Sequence, residues 1–287
     1  MLTIDRRYRK YKASGFPSVG DVPAHWQVLR LRNVCMLLVS NVDKKTEPNE
    51  EAVRLCNYVD VYKNPRITDR INFMRATASQ YEIARFRLKT GDVIITKDSE
   101  TWDDIAVPAI ASYEAPDLVC GYHLAILRPR QEVMLGSFLF RAIQSNPVSY
   151  QFHVSANGVT RYGLSQGAIK DVMIPVPPID EQEAITRVID YVENLIKKYT
   201  GTATFVGKQT ATMTAKTGGV VGRSIALLVE YRTRLLADLV TGKVDVCEVA
   251  QSLPMESVEP EPLDEINDLP QDDLPADEVE EEAVEEI

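Results

Sequence analysis

Two amphipathic stretches in the second half of the sequence define its longest predicted elements. In residues 180–199 and 224–240, apolar side chains recur at alternating spacings of three and four, the pattern of helices with a narrow apolar face. Because such a face needs a partner, we predict that the two helices pair as an antiparallel, coiled-coil-like hairpin. The seam residues are Ile185, Val188, Val192, Leu195 and Tyr199 in the first helix, and Leu228, Tyr231, Leu235 and Leu239 in the second.

A proline-rich junction separates this hairpin from the chain before it. Residues 172–176 are apolar and β-prone, and Pro177 and Pro178 can continue neither a strand ladder nor a helix. Asp180 is placed to accept the free amides of a first helical turn, with Glu183 three residues later as in a capping box. We therefore predict that a strand ends and a helix begins at this junction.

The region before the junction alternates between short strands and amphipathic helices. Its apolar runs are short, and turn-forming residues separate them. Residues 29–39 fit a strand or a short helix equally well, because their apolar run has no clear period. The other predicted strands cover residues 52–62, 93–96, 105–111 and 118–128, and the predicted helices cover residues 78–86 and 136–146.

These elements predict an α+β chain whose main part, residues 14–178, is one mixed α/β domain. Residues 1–13 precede it as a basic arm, for which a solvated or poorly ordered end is the main expectation and phosphate contact the alternative. The helical hairpin occupies residues 179–246, with a Gly- and Thr-rich interruption at 200–222. Residues 247–287 are acidic and Pro-rich, so we predict a disordered tail.

Charge is distributed unevenly along the chain. The 287 residues carry a net charge of −10, but residues 248–287 hold 16 of the 42 acidic residues and no Lys or Arg. The first 247 residues therefore carry 32 basic against 26 acidic side chains, a net of +6. A body with this excess can neutralise phosphates, although an excess of this size is also ordinary for a chain of this length.

Basic and aromatic side chains interleave between residues 58 and 89, a composition suited to phosphate contact and base-edge readout. Lys97, at the end of a predicted strand, and Arg161, in a predicted loop, are further candidates. The alternative for each is a solvated helix face or a structural salt bridge. The predicted nucleic-acid-binding residues are Arg66, Arg70, Arg75, Arg85, Arg87, Lys89, Lys97 and Arg161.

A metal site has weaker support in the sequence than a nucleic-acid-binding surface. Cys120 and His123 have the spacing of half a zinc site, but no second pair of ligands follows at a suitable distance. A magnesium site is conceivable in the acidic loop after residue 97, yet a nuclease pattern of paired carboxylates and lysine is not convincingly present. We predict no metal site, and we expect turn-capping roles for Asp98, Glu100, Asp103 and Asp104.

Catalysis within this chain is not predicted either. The sequence shows no Gly-rich methyl-donor loop, no P-loop and no Ser/His/Asp set with supporting spacing. His25 has no nucleophile or metal partner nearby, which favours a structural role. Four scattered cysteines suit a reducing compartment, and the chain offers neither a signal peptide nor an apolar run that could span a bilayer. We expect a cytoplasmic protein without membrane contact.

Three segments, in sequence order, resemble the specificity (S) subunit of type I restriction-modification systems. They are SGFPSVGDVPAHWQVLRL at 14–31, GLSQGAIKDVMIPVPPIDEQEAI at 163–185 and EYRTRLLADLVTGKVDV at 230–246. The loop SANGVTR at 155–161 is also close to a Ser-Gly-Thr-x-Arg loop that the family often carries. After Tyr199 the sequence departs from the family, whose members usually keep a longer continuous helix.

The resemblance implies a half-size specificity subunit with one target-recognition domain. Such a chain would read one half of a bipartite double-stranded DNA target, and its seam residues would dock a methylation subunit and a second copy of itself, with a restriction subunit completing the complex. No cofactor is implied for this chain, because S-adenosylmethionine, ATP and Mg belong to partner subunits. The alternatives are a decoy that occupies methylation subunits without reading DNA and, with less support, a free-standing nuclease or methyltransferase.

Overall fold

The computed structural model describes residues 7–200 and 219–254. Its strands are β1 (Tyr11–Ala13), β2 (Asp21–Pro23), β3 (Gln27–Arg30), β4 (Cys35–Val39), β5 (Glu51–Cys56), β6 (Arg66–Ile67), β7 (Met74–Ala78), β8 (Val93–Thr96), β9 (Asp98–Ser99), β10 (Pro108–Ala111), β11 (Leu118–Cys120), β12 (Leu124–Pro129), β13 (Tyr162–Gly163) and β14 (Met173–Val176). Its helices are α1 (Leu31–Val34), α2 (Tyr58–Lys63), α3 (Gln80–Phe86), α4 (Gly136–Gln144), α5 (Asn146–Ser155), α6 (Gln166–Asp171), α7 (Ile179–Thr200), α8 (Gly219–Val240) and α9 (Cys247–Ser252).

A five-stranded sheet, in the order β4-β12-β8-β10-β6, forms the middle layer of the fold. Its neighbouring strands are antiparallel except β10 and β6, which run parallel. Because side chains alternate between the two faces of a strand, Val93 and Ile95 enter one core while Ile94 enters another. Both faces of this sheet are therefore covered, which explains why its strands are continuous apolar runs.

The first face of the middle sheet packs against a smaller sheet. In this second sheet β5 lies between β11, to which it is parallel, and β7, to which it is antiparallel. Val53 and Leu55 of β5 are buried together with Ile94 of the middle sheet. Helices α2 and α3 cover the same core through Val61 and Phe86.

The run predicted as one strand at 118–128 is divided between these two sheets. β11 belongs to the three-stranded sheet and β12 to the five-stranded sheet, and the chain turns between them at Gly121. A Cβ atom on Gly121 would lie 3.1 Å from the carbonyl oxygen of Cys56, so glycine permits this close passage of two backbones.

The second face of the middle sheet packs against helices, including the predicted hairpin. Glu181, at the start of α7, and Gly242, just after α8, both lie against Trp26. Glu193, further along α7, accepts a hydrogen bond from Arg232, which lies earlier in α8. The two helices therefore run antiparallel, as predicted.

A buried ion cluster joins α4 to both helices of the hairpin. Arg141 of α4, only 4% exposed, donates to Asp190 at 2.5 Å and to Glu193 at 2.7 Å and 2.9 Å. Arg232 of α8 donates to the same Glu193 at 2.8 Å. Burial alone would raise the pKa of the Glu193 carboxyl, but the two guanidinium charges outweigh burial and lower it. One carboxylate thus ties three helices together.

The N-terminal segment is folded onto the base of the hairpin. β1 pairs with β2, and the Tyr8 hydroxyl donates to Glu181 at 2.8 Å. The same carboxylate accepts a hydrogen bond from Trp26 Nε1 at 2.8 Å and lies 2.6 Å from His25 Nε2, which gives His25 the structural role expected for it. Residues 7–13 are therefore ordered, although all of them except Tyr8 are exposed to solvent as expected for an arm, and residues 1–6 lie outside the described residues.

Three stretches of the sequence differ in detail from the predicted elements. Residues 29–39, predicted as either a strand or a short helix, contain both: the end of β3, helix α1 and β4 follow one another there. Helix α7 begins at Ile179, so Asp180 lies inside the first turn instead of capping it from outside. α8 begins at Gly219, within the predicted interruption, and residues 201–218 lie outside the described residues.

The beginning of the predicted disordered tail is also folded. Helix α9 packs against α7, and Ala250 and Leu253 are buried there. The prediction is therefore wrong for residues 247–254, while residues 255–287 lie outside the described residues. Among the helices of residues 7–200 and 219–254, none combines the length and apolarity needed to cross a membrane.

We expect Glu193→Gln to destabilise the folded chain by about 3 kcal/mol at neutral pH, because two buried guanidinium groups lose their shared charge partner. Since the pKa of Glu193 is lowered in the folded state, its stabilisation is present above the ordinary carboxyl value of about 4.3 and is lost as the pH falls through the lower folded value. The difference between wild type and variant should therefore shrink below about pH 4, measured by urea unfolding.

Glu183→Gln is the matched control, since Glu183 is exposed on the same helix. We expect it to change the unfolding free energy by less than about 0.5 kcal/mol at any of these pH values. A stability difference for Glu193→Gln that stayed constant down to about pH 3 would contradict the lowered pKa.

Candidate nucleic-acid interface

Three of the predicted nucleic-acid-binding residues lie together at the end of α3 and in the following link to β8. The side chains of Arg85, Arg87 and Lys89 are all exposed, while the alternating residues Phe86 and Leu88 are buried. This alternation anchors the backbone in the core and presents the cations outward. We refer to Arg85, Arg87 and Lys89 as the α3 basic surface.

The backbone beneath the α3 basic surface is fixed by several contacts. Ser79 and Glu82 form a capping box at the start of α3. The Arg87 carbonyl accepts a hydrogen bond from Arg128 at 2.9 Å, and the Lys89 amide donates to the Asp92 carboxylate at 2.9 Å. The three cations therefore project from a segment whose conformation is set by the core.

The charges of this surface are not neutralised within the described part of the chain. There, no ion pair joins Arg85, Arg87 or Lys89 to a carboxylate, and Arg85 instead packs on the rings of Tyr81 and Phe86. Glu82, the acidic residue of α3, accepts hydrogen bonds from Asn41 and Ser79. Three unneutralised cations on a fixed backbone are suited to bind anionic groups such as phosphates.

Other arginines in the same region are structural. Arg128 makes a bidentate pair with Asp92, at 2.7 Å and 2.8 Å, and Asp92 is 1% exposed. Arg54 pairs in the same way with Asp117, and this hydrogen-bonded partner lowers the Asp117 pKa. Neither Arg128 nor Arg54 is among the predicted binding residues, and both are held in ion pairs of the fold.

The remaining predicted binding residues do not join the α3 basic surface as free cations. Arg75 lies on β7 with its charge near Asp117. Arg66 lies on β6, 3.7 Å from Asp190 of the hairpin, and Lys97 pairs with Asp98 at 2.9 Å. Arg70 is exposed in the turn after β6. The sequence pattern grouped these residues, whereas the structure distributes them over several edges of the fold.

Arg161 lies on a different part of the surface from α3. It is exposed beside β13, which pairs with β9, and its charge lies near the Tyr58 hydroxyl. Within the described residues it has no ion-pair partner. The predicted alternative for Arg161, a structural salt bridge, is therefore not formed there.

The acidic loop after Lys97 is occupied by internal contacts. Asp98 lies 3.0 Å from His123 and 2.9 Å from Lys97; burial would raise its pKa, but these two partners lower it. Asp104 accepts a hydrogen bond from the Tyr62 hydroxyl at 2.6 Å. Across residues 7–200 and 219–254, no three His, Cys, Asp or Glu side chains converge as metal ligands would.

Most seam residues predicted to dock another subunit are buried inside this chain. Ile185, Val188, Val192, Leu235 and Leu239 all belong to the main core, so burial leaves them no surface to offer. Leu195 and Leu228 are half-buried, Tyr231 is 51% exposed, and the Tyr199 side chain lies outside the described residues. The amphipathic pattern identified the pairing of α7 with α8, which is an intramolecular interface.

Sequence reasoning missed the polar groups that hold the hairpin to the body. Arg141 stands in the apolar helix GSFLFRAIQ, and a single charge among buried positions was a signal that could have found it. Glu181 offered no comparable signal, because it was read as one of several acids near a helix start. Its convergence with Tyr8, His25 and Trp26 depends on three separate segments.

The described chain is thus a mixed α/β domain that packs against an antiparallel helix pair and carries exposed cations suited to bind anionic groups. A sequence profile of the family described as "type I restriction modification DNA specificity domain" matches residues 23–202. The chain belongs to this family, which confirms the family predicted from the sequence, and the matched range includes the whole of the framework segment at 163–185.

Known relatives share the family at low identity. A type I restriction enzyme MjaX specificity subunit of Methanocaldococcus jannaschii is 22% identical over 192 residues, covering 65% of this chain and 44% of that protein. The HsdS subunit of Thermoanaerobacter tengcongensis has 18% identity and a TM-score of 0.44, over 81% of this chain and 48% of that one. The S subunit of M. genitalium has 14% identity and a TM-score of 0.40, over 62% and 42%. The chain thus spans less than half the length of each of these relatives.

We expect the removal of Arg87 to leave the stability of the fold nearly unchanged and the removal of Arg128 to lower it. Arg87→Ala should change the unfolding free energy by less than about 0.5 kcal/mol, because the exposed Arg87 side chain has no charge partner among the described residues. Arg128→Ala should cost about 3 kcal/mol, because it leaves the buried carboxylate of Asp92 unpaired. Urea unfolding of both variants measures the contrast, and a similar loss for Arg87→Ala would show that Arg87 is structural.

Proposed function

We propose that this chain is the sequence-specific DNA recognition subunit of a type I restriction-modification complex and that its α/β body reads one half of a bipartite target. The observation that carries the proposal is the α3 basic surface, where Arg85, Arg87 and Lys89 stand unneutralised within the described residues on a backbone fixed by the core. The family of the chain supplies the DNA-recognition role, and this surface supplies a place for the duplex backbone.

The α3 basic surface is suited to phosphate contact because it presents three exposed cationic donors that have no ion-pair partner within the described residues. Arg85 is preorganised by its packing on Tyr81, which reduces the side-chain entropy lost on binding. Each phosphate that Lys or Arg neutralises releases condensed counterions, so affinity from such contacts falls steeply with salt. Contacts of this kind position a protein on DNA, and sequence must be read elsewhere on the body.

Assembly forms the second part of the proposal. The exposed outer side of α8, with Leu227 65% and Tyr231 51% exposed, is the part of the hairpin left to dock a methylation subunit. The described chain carries one recognition unit, and a second copy related by a two-fold axis would read a matching half-site. Methyltransferase and endonuclease activities, with S-adenosylmethionine, ATP and Mg, belong in this proposal to partner subunits, including the restriction subunit.

Replacing Arg85 and Arg87 together by alanine should weaken DNA binding by the complex with its methylation subunit while leaving assembly intact. Two lost phosphate contacts should lower the slope of log affinity against log salt by roughly 1.8. Fluorescence anisotropy with labelled duplex DNA at several salt concentrations measures both quantities, and size-exclusion chromatography measures assembly.

The matched control removes Arg30 and Arg32, two exposed arginines that share Asp171 as a charge partner. This variant makes the same change in net charge, but we expect a smaller effect on affinity because Asp171 offsets half of the charge that is lost. Equal losses in the two double variants would show that overall charge, and not the α3 basic surface, governs binding. No DNA binding by an assembled wild-type complex would favour the decoy.

Methylation mapping tests the recognition role itself. Cells that express the chain with its methylation subunit should gain a methyladenine motif that cells lacking the chain do not have. A palindromic bipartite motif is expected if two copies act together. The absence of any new motif, with a stable complex recovered on purification, would overturn the proposed function.

A further inference from the structure

Two loops that are distant in sequence emerge together from a small β-ribbon. β9 and β13 pair antiparallel, with Tyr162 opposite Ser99 and Gly163 opposite Asp98. One loop, residues 100–107, follows β9, and the other, residues 157–163, is closed by two hydrogen bonds between Asn157 and Gly163, at 2.8 Å and 3.0 Å. We call β9, β13 and these two loops the paired-loop ribbon.

Contacts with helix α2 hold the paired-loop ribbon in place. The Tyr62 hydroxyl donates to Asp104 at 2.6 Å, and the Tyr62 ring stacks on Tyr58 with centroids 5.5 Å apart. Gly158 has a φ of 150°, a conformation that strains other residues, and a side chain there would collide with the Arg161 carbonyl. The loop tips are therefore preorganised, which lowers the cost of binding a ligand.

The tips of the paired-loop ribbon combine apolar, acceptor and donor groups that the fold does not use. Val159 is 95% exposed and Trp102 is 47% exposed, the latter with its ring edge-on to His153. Glu100, Thr160 and Arg161 are also exposed. Within the described residues, neither Glu100 nor Arg161 is joined to an ion-pair partner.

This mixture distinguishes the paired-loop ribbon from the α3 basic surface. Phosphates accept only, so an exposed carboxylate such as Glu100 would repel them. Base edges in the major groove require each kind of group: Glu accepts from the cytosine amino group, Arg donates to guanine, and apolar side chains contact the thymine methyl. A two-stranded ribbon also fits the major groove, which is roughly 12 Å wide.

We propose that the paired-loop ribbon reads base edges in the major groove of duplex DNA, with Glu100, Trp102 and Arg161 as specificity-determining residues. The inference rests on the proposed function, and it assigns sequence readout to a surface separate from the phosphate-contacting cations of α3. Loss of a bidentate base contact should reduce discrimination at that base pair by about tenfold.

Selection from a randomised duplex library tests the proposal. The full chain, assembled with its methylation subunit, is used as wild type and as Glu100→Gln, Trp102→Ala and Arg161→Ala variants. Each variant should relax or change the preferred base at one or two positions of the enriched motif and leave the rest unchanged. Glu100→Gln is nearly isosteric at an exposed position, so it keeps the test sound should Trp102→Ala fail to fold.

Two matched controls accompany these variants. Glu132→Gln changes an exposed carboxylate elsewhere, and Met36→Ala shortens an exposed apolar side chain on β4, so both should enrich the wild-type motif. Ribbon variants that enrich the wild-type motif with unchanged discrimination would overturn the inference and leave the proposed function standing.

Two further outcomes also decide the matter. Ribbon variants that lose affinity equally for all sequences, with a reduced salt slope, would overturn base readout in favour of phosphate contact. A wild-type complex that enriches no motif would overturn the proposed function, and the role of the ribbon with it.

Discussion

The sharing of Glu193 between Arg141 and Arg232 is the interaction on which the arrangement of the two parts of the molecule depends. α4 lies on the middle sheet, whereas α7 and α8 form the hairpin. The buried ion cluster holds these three helices in contact with one another. A buried carboxylate with two guanidinium partners is costly to separate, because each charge left behind would lack compensation. Apolar packing alone would allow the helices to slide, and directional hydrogen bonds select one register. Glu181 fixes the other end of α7 in the same manner, since it gathers Tyr8, His25 and Trp26 from the N-terminal segment.

A second principle concerns which cations the fold uses. Arg54, Arg128, Arg141 and Arg232 are paired with carboxylates and belong to the internal structure. The cations of the α3 basic surface have no such partners among the described residues, although alternating buried residues fix the segment that carries them. A contribution to folding stability explains the paired arginines, but it does not explain the cations of the α3 basic surface. Because the other arginines are paired internally, the positive charge left without a partner includes the α3 basic surface, whose position the core fixes.

Together with these proposals, the described chain divides into parts with four physical tasks. The middle sheet, covered on both faces, supplies a rigid body. In the proposals made above, the three cations of the α3 basic surface contact phosphates, and the donors, acceptors and apolar groups of the paired-loop ribbon contact base edges. On the hairpin, which the Glu193 cluster holds in place, Leu227 and Tyr231 are exposed, and the proposed function assigns them to contact with another subunit. These assignments give physical content to membership of a DNA specificity family whose relatives share little sequence identity with this chain.

Local patterns in the sequence determined the helix pair, the strand and proline junction before it, the α+β class and the family, because periodicity, caps and framework segments are properties of neighbouring residues. Pattern also placed Arg85, Arg87 and Lys89 among the candidates. It could not separate them from Arg66 and Lys97, since only tertiary structure brings Asp190 and Asp98 beside those two. It could not show that the predicted strand at 118–128 divides between two sheets, or that residues 7–13 and 247–254 fold back on the base of the hairpin. Whether a side chain is buried or ion-paired depends on residues that are distant in sequence, and these come into contact only when the layers of the tertiary structure pack.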